Sequence, residues 1–210
     1  MSQSYFDQAA ATWDNQPQRV PLMRAIGEAI VREAHPAKTM DVLDYGCGTG
    51  LVSLFLLPYV RSVTGADSSP GMLEVLKRKI AEGHLDSMRA VLLDLEKDAV
   101  PVERYDMIVV SMAMHHIAEV DRVLKAFHAM LQAGGTLCIA DLDTEPGTFH
   151  PAVAGTVYHL GFDRKAMKER LIGVGFTDPK DHTAVTFNKP VESGGEQTFS
   201  IFLITAARGR

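Results

Sequence analysis

The 210 residues suffice for one filled core and fall short of two ordinary domains, and 46% hydrophobic with 22% charged residues is a globular balance. With 26 acidic against 21 basic residues the formal net charge is −5, and no local basic patch offsets it, so neither nucleic acid nor a membrane surface is an expected partner. Cys47 and Cys138 stand far apart outside any CxxC pattern, and the first ten residues lack both a basic segment and an apolar signal core; disulfide frameworks and Cys-rich zinc sites are excluded, and a cytoplasmic protein is expected.

In chain order, a segment carrying Tyr5, Phe6 and Trp13 precedes an amphipathic helix over Pro21–His35. Met40–Tyr45 reads as a strand, Thr49–Tyr59 as a helix ended near Pro58, and Arg61–Ala66 as a second strand. A helix over Pro70–Ala81 follows, with Ser68 or Ser69 as N-cap and proline near its first position. Ser87–Leu93 and Asp106–Ser111 are strands three and four; a helix over Val120–Leu131 is stopped by Gly134-Gly135, and Thr136–Ala140 is strand five. The longest apolar run, Leu51–Val60, is broken by Ser53 and Pro58 and is half a membrane span. After the unassigned stretch Asp141–Phe162, a helix over Asp163–Ile172 is closed by Gly173 and Gly175. Alternation of strands and helices implies right-handed crossovers and a largely parallel sheet. The last two strands, Ala184–Phe187 and Thr198–Ala206, are joined by only ten residues, too few for a parallel return, so they form an antiparallel hairpin.

The turn after strand one carries the chemistry. In VLDYGCGTG, Gly46, Gly48 and Gly50 allow a tight strand-to-helix turn that a ligand can approach closely. A dinucleotide fingerprint would need its third glycine at position 51, which is Leu51, and Asp44 would repel a pyrophosphate; no G-K-[ST] follows, which excludes a P-loop. A carboxylate at Asp44 instead suits a nucleoside with an ammonium-bearing tail. Asp67, 23 residues on, closes strand two where ribose hydroxyls would lie, and Asp94 closes strand three near an adenine amino group.

These residues resemble the class I S-adenosylmethionine-dependent methyltransferases. VLDYGCGTG is similar to their first motif, GADSSPGML to the second, LLDLE to the third and YDMIVVSMAMHHI to the strand-four motif, whose MHHI is similar to that of the ubiquinone/menaquinone C-methyltransferase group and its relatives and too generic to name a substrate. AMLQAGGTLCIAD departs from the usual LKPGG at Gln132 and Ala133. The resemblance implies an α/β, Rossmann-like three-layer αβα sandwich with a seven-stranded mixed sheet in order 3-2-1-4-5-7-6, strand seven antiparallel. It also implies a domain of residues 1–210 made of a helical cap (1–37), a cofactor-binding core (38–143), a substrate-side insertion (144–162) and a terminal helix with hairpin (163–210).

The expected cofactor is S-adenosylmethionine, with S-adenosylhomocysteine as product, held by Asp44, Gly46, Cys47, Gly48, Thr49, Gly50, Asp67, Ser68, Met72, Asp94, Leu95 and Ser111. Cys47 reads as a small loop-facing residue, and Met72 either covers an adenine face or packs in the core. His115 and His116 are the candidates for a base, the alternative being a helix cap or a contact to the cofactor's tail. Met112, Met114, His150 and His159 would line the acceptor side, and Tyr5, Phe6 and Trp13 would form a lid with rings toward the sulfonium or an ordinary apolar staple. Asp141 and Asp143 share a strand face but lack a partnering acid on strand four, so no metal is expected. Without [DN]-PP-[YF] or a cysteine after strand four, amino-group base methylation and cytosine C5 chemistry are disfavoured. A small-molecule acceptor, methylated on O, N or C, is expected; a homodimer is compatible with it. The rivals are a non-catalytic cofactor-binding regulator or subunit, which would share every motif, and an NAD-dependent oxidoreductase, which Leu51 and Asp44 disfavour.

Overall fold

A computed structural model describes residues 2–150, 157–191 and 194–209. Part of the expected insertion (151–156) and part of the hairpin connection (192–193) lie outside the described residues. Six α-helices are present among them: α1 Ser2–Ala9, α2 Arg19–Ala34, α3 Leu51–Leu56, α4 Pro70–Glu82, α5 Val120–Met130 and α6 Arg164–Val174. The strands are β1 Asp41–Tyr45, β2 Ser62–Asp67, β3 Met88–Leu92, β4 Tyr105–Ser111, β5 Leu131–Leu142, β6 Phe176–Pro190 and β7 Glu196–Arg208. They form one sheet in the order β3-β2-β1-β4-β5-β7-β6, parallel except for β7, which runs antiparallel to both neighbours. The expected architecture is therefore the one observed.

Two apolar layers flank the sheet. On one face Val123, Phe127, Met167 and Leu171 of α5 and α6 bury against Leu43, Ile108 and Ile139. On the other, Ile26 and Ile30 of α2, Leu56 of α3 and Leu76 of α4 bury against Val42, Val63 and Val109. Alternate residues of the central strands feed opposite faces, which is why these strands read as continuous apolar runs. Helix α2 is thus a structural layer of the sandwich and not a cap; only the chain before it lies over the strand ends.

Several boundaries differ from the sequence reading, each for a local reason. The fifth helix ends at Met130, and the glycine pair lies inside β5: Leu131 pairs with Tyr105 and Thr136 with Met107, so four residues of β5 face one of β4 in a bulge, with Gly134 at φ +78°. Strand β6 starts at Phe176, eight residues before the expected Ala184. Its first half is a polar edge, with Asp178 at φ +52° in another bulge, and charges and proline on an edge strand hide the apolar alternation. Helix α6 starts where expected because the Asp163 side chain accepts the Ala166 N–H (2.8 Å). Asp163→Ala should therefore cost about 1 kcal/mol in a urea melt, with the m-value unchanged.

Candidate active site

The C-terminal ends of β1, β2, β4 and β5 converge, as doubly wound sheets require of a ligand crevice. Gly46 turns the chain at φ +69°, and a Cβ built there would lie 2.5 Å from Cβ of Ala113, so the glycine lets the β1 turn press against the loop after β4. Cys47 is buried, which pushes its thiol well above the usual range and makes it a packing group rather than a nucleophile.

Asp44 ends fully buried at the sheet centre. One carboxylate oxygen accepts the Ser53 hydroxyl; the other, Oδ1, has no hydrogen-bond partner. Burial pushes its pKa up to about 7, against the pull of the Ser53 hydrogen bond, and the nearby Asp67 charge adds to the rise. Asp67 accepts the N–H groups of Gly48 and Ser69, both at 2.8 Å, so it fixes the glycine turn while its pKa is raised, mainly by burial. Met72 is buried beside Gly48, and Ser111 is buried at the end of β4. Asp94 folds back on its own turn: it pairs with Lys97 (2.7 Å) and accepts the Glu96 N–H (3.1 Å). The Leu95 N–H next to it donates to the Tyr45 hydroxyl (3.0 Å), tying the loop after β3 to β1. Ser68 lies half-buried between Asp67 and the start of α4.

The N-terminal segment is latched over this turn by two acids that sequence reasoning missed. Asp7 of α1 accepts the Ser69 hydroxyl (2.6 Å) and the Gly71 N–H (2.8 Å) at the start of α4. Asp14 accepts the Thr49 hydroxyl (2.6 Å) and pairs with Lys79 (2.6 Å), which also donates to the Thr49 carbonyl. An isolated aspartate in a short polar segment carries no periodic signal that could have revealed these contacts. Tyr5, Phe6 and Trp13 form an edge-to-face series, with ring centroids 5.4 and 5.6 Å apart, and Phe6 continues it to His116 at 5.1 Å. The cation on Trp13 is the chain's own Arg19, whose guanidinium stands 3.4 Å from the ring centroid.

Beyond the lid lies a histidine cluster. His115 Nδ1 is 2.6 Å from Asp141 Oδ1, both groups being buried, and His115 Nε2 is 3.0 Å from His150 Nε2. Ring centroids of His115 and His116 are 4.1 Å apart, and those of His116 and His150 are 5.2 Å apart. Burial would raise Asp141, but the charge and hydrogen bond of His115 outweigh it and hold the carboxyl below its usual value. The His150 imidazole is pushed down to about 3 by burial and by the adjacent His115 and His116. His150 is delivered by a turn in which Glu145 accepts the N–H groups of Gly147, Thr148 and Phe149. The far side of the insertion returns to the same place, where Tyr158 and His159 donate their N–H groups to the His115 carbonyl. His159 itself is turned away, its Nε2 2.9 Å from the Ile117 carbonyl. Met114 sits in the core with Tyr45 and Phe127 rather than on a cleft wall, whereas Met112, at φ +52°, is half-buried at the loop tip. Asp143 is held by Arg164 through two 2.6 Å contacts and does not pair with Asp141.

Comparison with known proteins finds relatives for the sequence and for the fold. The methyltransferase-domain family matches residues 42–135. The chain is 35% identical over 137 residues to an uncharacterized methyltransferase of Schizosaccharomyces pombe, covering 59% of this chain and 48% of that one. It is 30% identical over 126 residues to the ubiquinone biosynthesis O-methyltransferase of Brucella ovis, covering 60% and 50%. The chain thus spans about half the length of these relatives. Among solved structures, the YcgJ protein of Bacillus superposes at a TM-score of 0.71 with 15% identity over 88% of this chain and 98% of that one. Haemonchus contortus phosphoethanolamine N-methyltransferase 2, solved with S-adenosyl-L-methionine, gives 0.71 and 15% over 88% and 52%. No helix among the described residues is long and apolar enough to cross a membrane.

The latch makes a local prediction. Replacing both Asp7 and Asp14 by alanine should speed amide hydrogen exchange across residues 2–15 while leaving β1 and β4 protected; equal loss of protection in the sheet would show the segment to be part of the core.

Proposed function

We propose that this chain, which belongs to the class I S-adenosylmethionine-dependent methyltransferases, transfers a methyl group from that cofactor to a small-molecule acceptor. The observation that carries the proposal is Asp44, whose buried Oδ1 faces no donor. An unpaired buried carboxylate is costly, and an ammonium group brought against Oδ1 would satisfy it; a diphosphate would not. The residues present therefore fit the cofactor: an acid for its amino group, and at Gly48 a bare backbone whose nearest side chains, Trp13 and Met72, would stand 3.9 and 4.0 Å from an added Cβ. When bound, S-adenosylmethionine supplies a methyl carbon made electrophilic by the sulfonium.

Each remaining role belongs to a side chain of this protein. Asp44, Gly46, Gly48 and Gly50 are assigned to the amino-acid tail and Asp67 to the ribose hydroxyls, with Met72, Leu95 and Ser111 around the nucleoside. Cys47 and Thr49 shape the turn, and Ser68 and Asp94 flank it. Tyr5, Phe6 and Trp13 exclude water from above, which matters because in-line displacement depends on positioning in a dry site. His115, His116 and His150 face the acceptor side. A hydroxyl acceptor is the class most in need of them, because it stays protonated at neutral pH and requires a neighbouring base or Lewis acid. The O-methyltransferases among the relatives favour the same class.

Calorimetry with S-adenosylmethionine and, separately, NADH tests the reading, and S-adenosylhomocysteine formation with phenolic acceptors separates an enzyme from a binding protein. Asp67→Ala should weaken cofactor binding about 10–100-fold by removing charge-assisted acceptors worth roughly 1.5–3 kcal/mol. Binding of NADH without S-adenosylmethionine would refute the proposal.

A further inference from the structure

We infer that His115, His116 and His150 form a binding site for a divalent transition-metal ion of the zinc type. Their ligand nitrogens all lie within 4.8 Å of one another, the only such group of three or more ligating side chains among the described residues. Two of them, the Nε2 atoms of His115 and His150, already stand 3.0 Å apart. Two imidazole nitrogens bound to one zinc ion at about 2.0–2.1 Å in tetrahedral geometry are roughly 3.3 Å apart. Zinc would displace the proton shared by that pair and widen their separation by a few tenths of an ångström, and a side-chain adjustment at half-buried His116 closes the set.

The surroundings are those of a metal site. The Asp141–His115 contact at 2.6 Å places a proton on Nδ1, which leaves the Nε2 lone pair directed at the cluster. A buried carboxylate behind a ligating imidazole is the partner that orients the ring and raises its basicity. Asp141 is itself fixed, since its Oδ1 also accepts the Leu142 N–H at 2.7 Å. The rings of Phe6 and Phe149 pack beside His116 and His150, at 5.1 and 4.8 Å between centroids, and give the cluster an apolar wall. Imidazole-only donors favour zinc and its neighbours over magnesium or calcium, which take oxygen. Three protein ligands leave one position of a tetrahedral ion for an exogenous oxygen, such as a hydroxyl of the acceptor. No spacing pattern reveals this site, because only His115 and His116 are adjacent and the third ligand arrives from 34 residues further along the chain.

The inference does not depend on methyl transfer, and the test reads it without cofactor. Chelator-treated protein is titrated with zinc against a chromophoric chelator, and then reconstituted with cobalt. One equivalent should bind, and the cobalt form should show the strong visible bands of a four-coordinate ion. His150→Ala and His116→Gln, which alter half-buried positions, should each weaken zinc at least 100-fold while retaining the native circular dichroism spectrum. Asp141→Asn should weaken it about 10–100-fold through His115. Substoichiometric binding, or affinity unchanged in both histidine variants, would overturn the assignment, whether or not the protein binds S-adenosylmethionine.

Discussion

A carboxylate with no exposed surface stands near the end of β1, beside the central strand β4, one oxygen held by Ser53 and the other facing no donor. Much of the site follows from this placement. Strand β1 lies between β2 and β4, so its last residues are surrounded on both sides, and a charge there cannot be relieved by water. Burial raises Asp44 to about 7, which means that the folded chain holds a proton the unfolded chain would release near pH 4. Relative to the unfolded state, stability is then highest below about pH 4 at this position and falls as pH rises toward 7. A residue that destabilises its own fold at neutral pH has to be accounted for by what it binds, and a cationic tail is the proposed guest.

The rest of the site is held together by contacts between segments far apart in the chain. Asp67 closes the glycine turn through backbone N–H groups, and Asp7 and Asp14 fasten the first fifteen residues to the same turn and to α4. Asp141 reaches from β5 to His115 after β4, and Glu145 folds the turn that brings His150 to meet it. In each case a buried or half-buried carboxylate uses backbone N–H groups, a hydroxyl, a lysine or an imidazole to fix a loop at the C-terminal end of the sheet. The glycine turn, the lid and the histidine cluster are thereby arranged in one continuous series, linked by Trp13, Phe6 and His116.

The sheet was largely legible in the sequence because its central strands are buried on both faces and read as unbroken apolar runs. Helices with a polar cap residue, such as Asp163 before α6, could be placed to within a residue or two. The edge was not legible: the polar first half of β6 and the glycine bulge of β5 break the pattern for reasons that exist only in the folded sheet. The site divides in the same way. Asp44 and Asp67 could be placed at strand ends because their positions are fixed relative to β1 and β2, whereas Asp7, Asp14, Asp141 as a partner of His115, and the meeting of His150 with His115 depend on tertiary contacts. Met114, expected on the acceptor side, and α2, included in the expected cap, both serve the core.

The charge on one side chain decides what the glycine turn can hold, and carbon-13 NMR of the Asp44 carboxyl carbon measures that charge directly. In the free protein the resonance should titrate with a midpoint near 7. Saturation with S-adenosylhomocysteine should move that midpoint below 5, because an ammonium group beside Oδ1 favours the ionised form and drives out the proton. A midpoint that stays where it was in the saturated complex would mean that no cation sits against Asp44, and the account of the site built on it would fail.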